Sequence, residues 1–309
     1  MGNHESCKKI TMKIFKKIVL TFLIVLILAS VVGFIYFNQK FTPEKNYLTV
    51  KNESGNIPMI WLGNDKNVLL VPIHFQADST TYYLQFDTGS PSTVFYSNSV
   101  KNIRGINILQ DRAKALFTLG KTEISSDKFI LLRQGKKHDK DSLHIIGTLG
   151  ADILENNKTL INFKENYLVF NLSKTPFQYK NQRIDFKFKK RKIILNGKLR
   201  GQKEQFMFDS GTSAYELLTN KETWENLKSS NSKVSIERAQ SWQNTLTTFT
   251  ATCNQNKRIQ LHEVTYVEGF SQTQYALMKF SGMTGMLGNR IFLNNILYLD
   301  CKDEKFVVE

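Results

Sequence analysis

Along this chain the hydrophobic pattern changes character once. Residues 18–37 (Ile-Val-Leu-Thr-Phe-Leu-Ile-Val-Leu-Ile-Leu-Ala-Ser-Val-Val-Gly-Phe-Ile-Tyr-Phe) carry no charge. At ~1.5 Å per residue a helix of this length spans about 30 Å, the thickness of a bilayer core. Beyond residue 46 the apolar runs are short and broken by turn residues, which predicts strands rather than long helices. Residues 68–75 and 82–86 flank a polar stretch at 77–81 and read as a hairpin. In the second half, 192–195 and 198–200 flank Asn196-Gly197, a strong turn dipeptide, and lead to 205–208.

The two halves share more than pattern. At an offset of 138, Gly147, Leu149, Gly150, Ile153, Asn156 and Asn157 match Gly285, Leu287, Gly288, Ile291, Asn294 and Asn295. A short helix at 151–155 and at 289–293, then a strand, a charged turn and another strand follow each Gly-x-Leu-Gly. Ungapped identity at this density predicts an internal duplication. Each half also carries an apolar strand running into an acidic turn: Asp87-Thr88-Gly89, followed by Ser90, and Asp209-Ser210-Gly211, followed by Thr212. Asp87 lies 60 residues before Gly147 and Asp209 lies 76 before Gly285, so the second half has extra length, expected in surface loops. One Asp-x-Gly is ordinary turn chemistry. Two in matched frames predict one half-site built twice and a pair of facing carboxylates.

The order of hairpin, Asp-Thr/Ser-Gly-Ser/Thr and Gly-x-Leu-Gly resembles the pepsin-like and retropepsin-like aspartic proteases, over roughly residues 66–309. The resemblance implies an all-β, bilobal fold: two related β-barrel-like lobes with short helices, divided as 47–178 and 179–309, with one Asp loop per lobe at the floor of a cleft. It implies that Asp87 and Asp209 activate a water for attack on a peptide carbonyl. It also implies that Thr88 and Ser210 bind across the lobes, that Gly89 and Gly211 bring amides close, and that Ser90 and Thr212 hydrogen-bond the outer carboxylate oxygens. The flap that closes over substrate is expected near 103–115 in the first lobe, a stretch with no tyrosine. Tyr82, Tyr83 and Tyr96 lie close to Asp87 in sequence and are set aside. Trp242 is the candidate flap aromatic of the second lobe.

Charge and cysteine content adjust this picture little. The net charge of +15 is spread along the chain without a nucleic-acid-binding signature, and it reads as a lysine-rich surface. A basic nucleic-acid binder would rest on net charge alone. Lys8, Lys9, Lys13, Lys16 and Lys17 precede the apolar run. The positive-inside tendency then makes 1–17 a cytoplasmic segment, 18–37 an uncleaved anchor, 38–46 a stalk, and the rest extracytoplasmic. A cleaved signal peptide is the competing reading. Cys253 and Cys301 admit either a disulfide or two separate buried thiols. No metal-ligand spacing appears, and no cofactor is expected. The expected partners are an extended peptide and a membrane, with oligomeric state left open. The expectation is a membrane-anchored aspartic endopeptidase; the alternative is a catalytically idle protease-like module that binds peptides or envelope components.

Overall fold

A computed structural model of the chain describes residues 2–63, 65–76, 78–133, 143–241, 244–255, 261–270, 275 and 282–309. It divides into two units, Met1–Glu44 and Lys45–Glu309.

The first unit is one helix, Gly2–Lys40. Its stretch Phe15–Lys40 reaches a mean hydropathy of 3.1 and is long and apolar enough to cross a membrane, with its apolar side chains exposed. The helix exceeds the expected 18–37 at both ends. Lysine and glutamine are good helix formers, and the first helix-breaking residue downstream is Pro43, three residues beyond the helix end. At the other end of the expected stalk, Asn46 is part of the body, where its Nδ2 donates to Asp152 O (2.8 Å).

The body is all-β with short helices. In Tyr82–Phe86 the alternation is complete: Tyr82, Leu84 and Phe86 are buried, and Tyr83 and Gln85 are half-buried. This strand pairs antiparallel with Val68–Phe75 and parallel with Ile145–Leu149. Six strands of the first half close into a ring. The order runs Thr122–Leu132, Val94–Tyr96, Ile145–Leu149, Tyr82–Phe86, Val68–Phe75 and Arg112–Leu119, which pairs back to the first. Phe75, Phe95, Phe117 and Phe129 fill it, with ring centroids 4.9–6.1 Å apart.

The second half repeats this order with Leu261–Glu268, Leu217–Thr219, Gly285–Leu287, Gln202–Phe208 and Lys192–Leu199. Among the described residues its ring does not close, because Lys192–Leu199 and Asn244–Gln255 are not paired. The β-barrel-like expectation therefore fits the first half better than the second. An apolar cavity of ≈ 1020 Å³ opens in the second half beside Leu195, Leu199, Phe206, Leu217 and Leu287.

One sheet joins the halves. Lys158–Asn162 pairs antiparallel with Ile296–Asp300, so that Leu160 faces Tyr298, its own counterpart at the offset of 138. Tyr167–Val169 and Ile57–Pro58 extend this sheet on one side, and Lys305–Val308 and Ile184–Lys189 on the other.

Two expectations change, and the choice left open for the cysteines is decided. Asn196-Gly197 is not a turn: Lys192–Leu199 is one strand, and the reversal falls at Arg200 and Gly201, both at positive φ (49° and 85°). That backbone matches the right-handed twist of the flanking strands, and the longer pairing adds four cross-strand partners, Asn196 to Leu199 with Gln205 to Gln202. The extra length of the second half is not only loop, since it includes the helix Lys221–Leu227, N-capped by Asn220, and the long strands Ser235–Ser241 and Asn244–Gln255. Cys253 and Cys301 are separate, buried, free thiols. Burial pushes the Cys253 thiol up to about 12 and raises that of Cys301 as well.

Candidate active site

Each acidic turn begins where a buried strand ends. Phe86 and Phe208 point into the core at 0% exposure and meet Phe170 and Phe292 edge-to-face, each pair 5.4 Å apart. Such pairs contribute about 0.5–1.5 kcal/mol beyond area burial and fix where the strand stops. The next residue is the aspartate. Asp87 N donates to Leu149 O (3.0 Å) and Asp209 N to Leu287 O (2.9 Å), so the Gly-x-Leu-Gly element of each half holds its own aspartate.

The two turns bind each other reciprocally. Thr88 N donates to Ser210 Oγ (2.9 Å) and Ser210 N to Thr88 Oγ1 (3.0 Å). Each hydroxyl then donates onward across the lobes, Thr88 Oγ1 to Phe208 O (3.0 Å) and Ser210 Oγ to Phe86 O (2.9 Å). Both side chains are buried, so every one of these groups would be costly to leave unpaired. Glycine after each hydroxyl residue is required by the approach of the opposite carboxyl. A Cβ on Gly89 would lie 2.6 Å from Asp209 Oδ1, and one on Gly211 would lie 2.5 Å from Asp87 Oδ1.

The grip brings the two carboxyls within interaction range, each lying against the glycine of the opposite turn. Burial raises the pKa of both, and for Asp209 the charge of Asp87 raises it further. Their surroundings differ. Asp87 is half-buried and its Oδ1 accepts from Gly89 N (2.9 Å) and Ser90 N (3.1 Å), bonds that favour the ionised form. Asp209 is 8% exposed, and its Oδ1 accepts from Gly211 N (2.8 Å). Two carboxyls this close cannot both ionise cheaply, so their titration belongs to the pair.

The hydroxyls of Ser90 and Thr212 do not reach the carboxylates as the resemblance implied. Ser90 Oγ donates to Ser92 O (2.9 Å) and Thr212 Oγ1 to Asp209 O (2.9 Å). Backbone amides of the tight turn reach the carboxylate oxygens instead, and the hydroxyls satisfy carbonyls that the turn leaves open.

Residues passed over in the sequence hold these loops from behind. Asp152 accepts from Thr93 N and Thr93 Oγ1, both at 2.7 Å. Burial raises its carboxyl to about 6 despite those bonds and the nearby Arg191. In the other half Asn289 donates to Ser210 O (3.2 Å) and Ser213 Oγ (2.7 Å). The duplication gave no signal for them: at the offset of 138 Asp152 matches Arg290 and Asn289 matches Ala151. Arg191, 5% exposed, reaches from the second half to Glu155 Oε2 (3.0 Å), Pro91 O (3.2 Å) and Ser92 Oγ (3.2 Å). Tyr96, set aside for its sequence proximity, shares a 2.8 Å hydrogen bond with Thr148, and burial, then the Asp87 charge, raise its phenol.

The first half carries a hairpin where a flap is expected, Ile106–Leu109 with Arg112–Leu119. Its tip is tied down, because Leu131 N donates to Asp111 O (3.0 Å). The second half has the hairpin Ser235–Ser241 with Asn244–Gln255; Trp242 lies outside the described residues.

No family model matches the chain, and no curated protein matches it. Among solved structures the chain is similar to an aspartic proteinase from Irpex lacteus, with 11% sequence identity, 83% of this chain and 97% of that chain covered, and a TM-score of 0.46. The body is two β-rich halves, each contributing one acidic turn, joined by a shared sheet.

Proposed function

We propose that this chain is a membrane-anchored aspartic endopeptidase. The observation that carries the reading is the meeting of Asp87 and Asp209 through the reciprocal Thr88–Ser210 grip. The ionised carboxylate, Asp87, removes a proton from a water held between the pair. Protonated Asp209 donates to the substrate carbonyl oxygen. Water attack gives a tetrahedral diol, and the proton positions exchange as the amine leaves, with no covalent bond to the enzyme. An extended peptide is the substrate that suits a cleft between two lobes. The apolar helix supports an anchor, and the lysines before it support a cytoplasmic N-terminus with the body outside. The corresponding Asp turns and the Leu160–Tyr298 pairing support an origin by duplication.

The test uses the full-length chain in detergent micelles with an unfolded protein substrate, from about pH 3 to about pH 8. Cut sites are read by mass spectrometry, alongside Asp87→Asn and Asp209→Asn. Each substitution is expected to lower kcat by about 10²–10⁴-fold. Cleavage that survives both substitutions sinks the reading. Resistance of the chain to alkaline extraction from membranes, and its digestion by a protease added outside intact cells, test the anchor and its orientation.

A further inference from the structure

The two halves present different chemistry beside the carboxyls. Gln85 and Met207 stand two residues before Asp87 and Asp209, on the strand faces opposite Phe86 and Phe208. The neighbouring parallel strand places Thr148 opposite Gln85 and Met286 opposite Met207. These positions correspond, because Thr148 and Met286 precede the leucines whose carbonyls hold the two aspartates. The alternate residues, Phe86, Leu149, Phe208 and Leu287, point into the core.

The difference extends outward from the dyad. Thr148 is covered by Tyr96, whose hydroxyl bonds to it and whose ring is half-buried. Met286 is half-buried and packs with Leu218, Leu246 and Val267, with Tyr215 and Phe270 also against that cluster. An apolar side chain pressed against Gln85 and Tyr96 strands their hydrogen-bonding groups. A polar one pressed against Met286 and Leu218 gives up its water for nothing.

We infer that the subsite beside Asp209 takes a bulky apolar side chain and the subsite beside Asp87 takes one that hydrogen-bonds. The inference rests on the endopeptidase reading and names its substrate class: extended peptides with an apolar residue on one side of the scissile bond and a polar residue on the other.

The full-length chain in detergent micelles is given a randomised peptide library, and cut sites are sequenced by mass spectrometry. The expected profile is one apolar and one polar flank. Tyr96→Phe and Thr148→Val lower kcat/KM for the preferred polar flank by about 10-fold without changing the apolar ranking, and Met286→Thr relaxes the apolar flank alone. Equal acceptance of apolar residues on both sides, or a profile unmoved by these variants, overturns the inference and leaves the dyad reading intact. Binding of uncut peptides to the Asp209→Asn chain is the second readout. If the wild-type chain cuts nothing but the variant binds with this polarity, the endopeptidase reading falls and the subsites stand. Unselective binding, or none, overturns the subsites whatever the cleavage result.

Discussion

The two acidic turns have nearly the same backbone task and different electrostatic settings. Both are held by a leucine carbonyl, gripped by the partner hydroxyl and backed by a buried phenylalanine. Yet Asp87 takes two amide bonds from its own turn where Asp209 takes one from its own turn and is also favoured as an anion by the Gly89 amide opposite, and Asp209 is the more buried. Behind the first turn stands a carboxylate, Asp152, with Arg191 near it; behind the second stands a neutral amide, Asn289. Shared backbone contacts give the symmetry needed to bring two carboxyls together. Unshared side chains give the two carboxyls unlike surroundings, which the proposed reading uses to make one an acid and the other a base. A perfectly symmetric pair would have no preferred seat for its proton.

The strongest way to break the comparison is to fill the space each glycine leaves for the opposite carboxyl. Gly89→Ala and Gly211→Ala put a methyl inside contact distance of Asp209 and Asp87 respectively. Each is expected to cost about 1–3 kcal/mol of stability, and activity falls with the lost alignment, by about 10²-fold in kcat. Urea unfolding and cleavage rates on the same samples check this. Equal losses for the two variants mark the symmetric part of the site.

A smaller effect comes from the grip. Thr88→Ala removes the acceptor of Ser210 N and the donor to Phe208 O; Ser210→Ala does the mirror image. Stranding a buried group costs about 1–3 kcal/mol, so both variants lose that much by urea unfolding, and Thr88→Ser and Ser210→Thr recover most of it. A loss confined to one of the two would mean that the turns are not held reciprocally.

The asymmetry itself is sharpened by pH. An aspartate whose folded-state pKa is raised holds its proton more tightly when folded. Its stabilising contribution is full below the unfolded value of about 4 and fades as pH rises through the folded value. Asp209→Asn removes that loss. It is expected to raise Tm at neutral pH, by roughly 2–4 °C per kcal/mol gained, and to have little effect near pH 4. Asp87→Asn, at a carboxyl whose pKa burial also raises, shifts the profile in the same direction. The smallest change is Asp152→Asn, which removes the carboxyl behind the first turn. It flattens the part of the stability profile between about pH 4 and about pH 6, as thermal melts across that range will record.

Periodicity and local chemistry made much of this molecule legible. The apolar run of 18–37 has one low-cost conformation away from water, and the matched Asp turns carried their own frame, a buried residue before and a glycine after. Reading failed where a residue's role depends on a chain segment far away. Asn196-Gly197 has the composition of a turn, but pairing with Gln205 and Glu204 draws it into a strand. Ser90 and Thr212 have suitable hydroxyls, but the amides of their own turns were nearer to the carboxylates. Tyr96 is nine residues from Asp87 and was set aside for that proximity, although Val94–Tyr96 lies beside Ile145–Leu149 and delivers its phenol to Thr148. Arg191 carries no local signal at all, since its partners lie 36 to 100 residues away.

Sequence by itself determined the strands that run into the two acidic turns, which segment is apolar enough for a bilayer, and that the two turns exist in equivalent frames, because these follow from side-chain period and from backbone rules that act within a few residues. Only the tertiary structure decided that the turns grip each other, that one ring closes while the other stays open, and that the two carboxyls sit in unlike surroundings. Those outcomes depend on burial and on hydrogen-bond partners contributed by the opposite half, and burial is a property of the assembled body rather than of any stretch of chain.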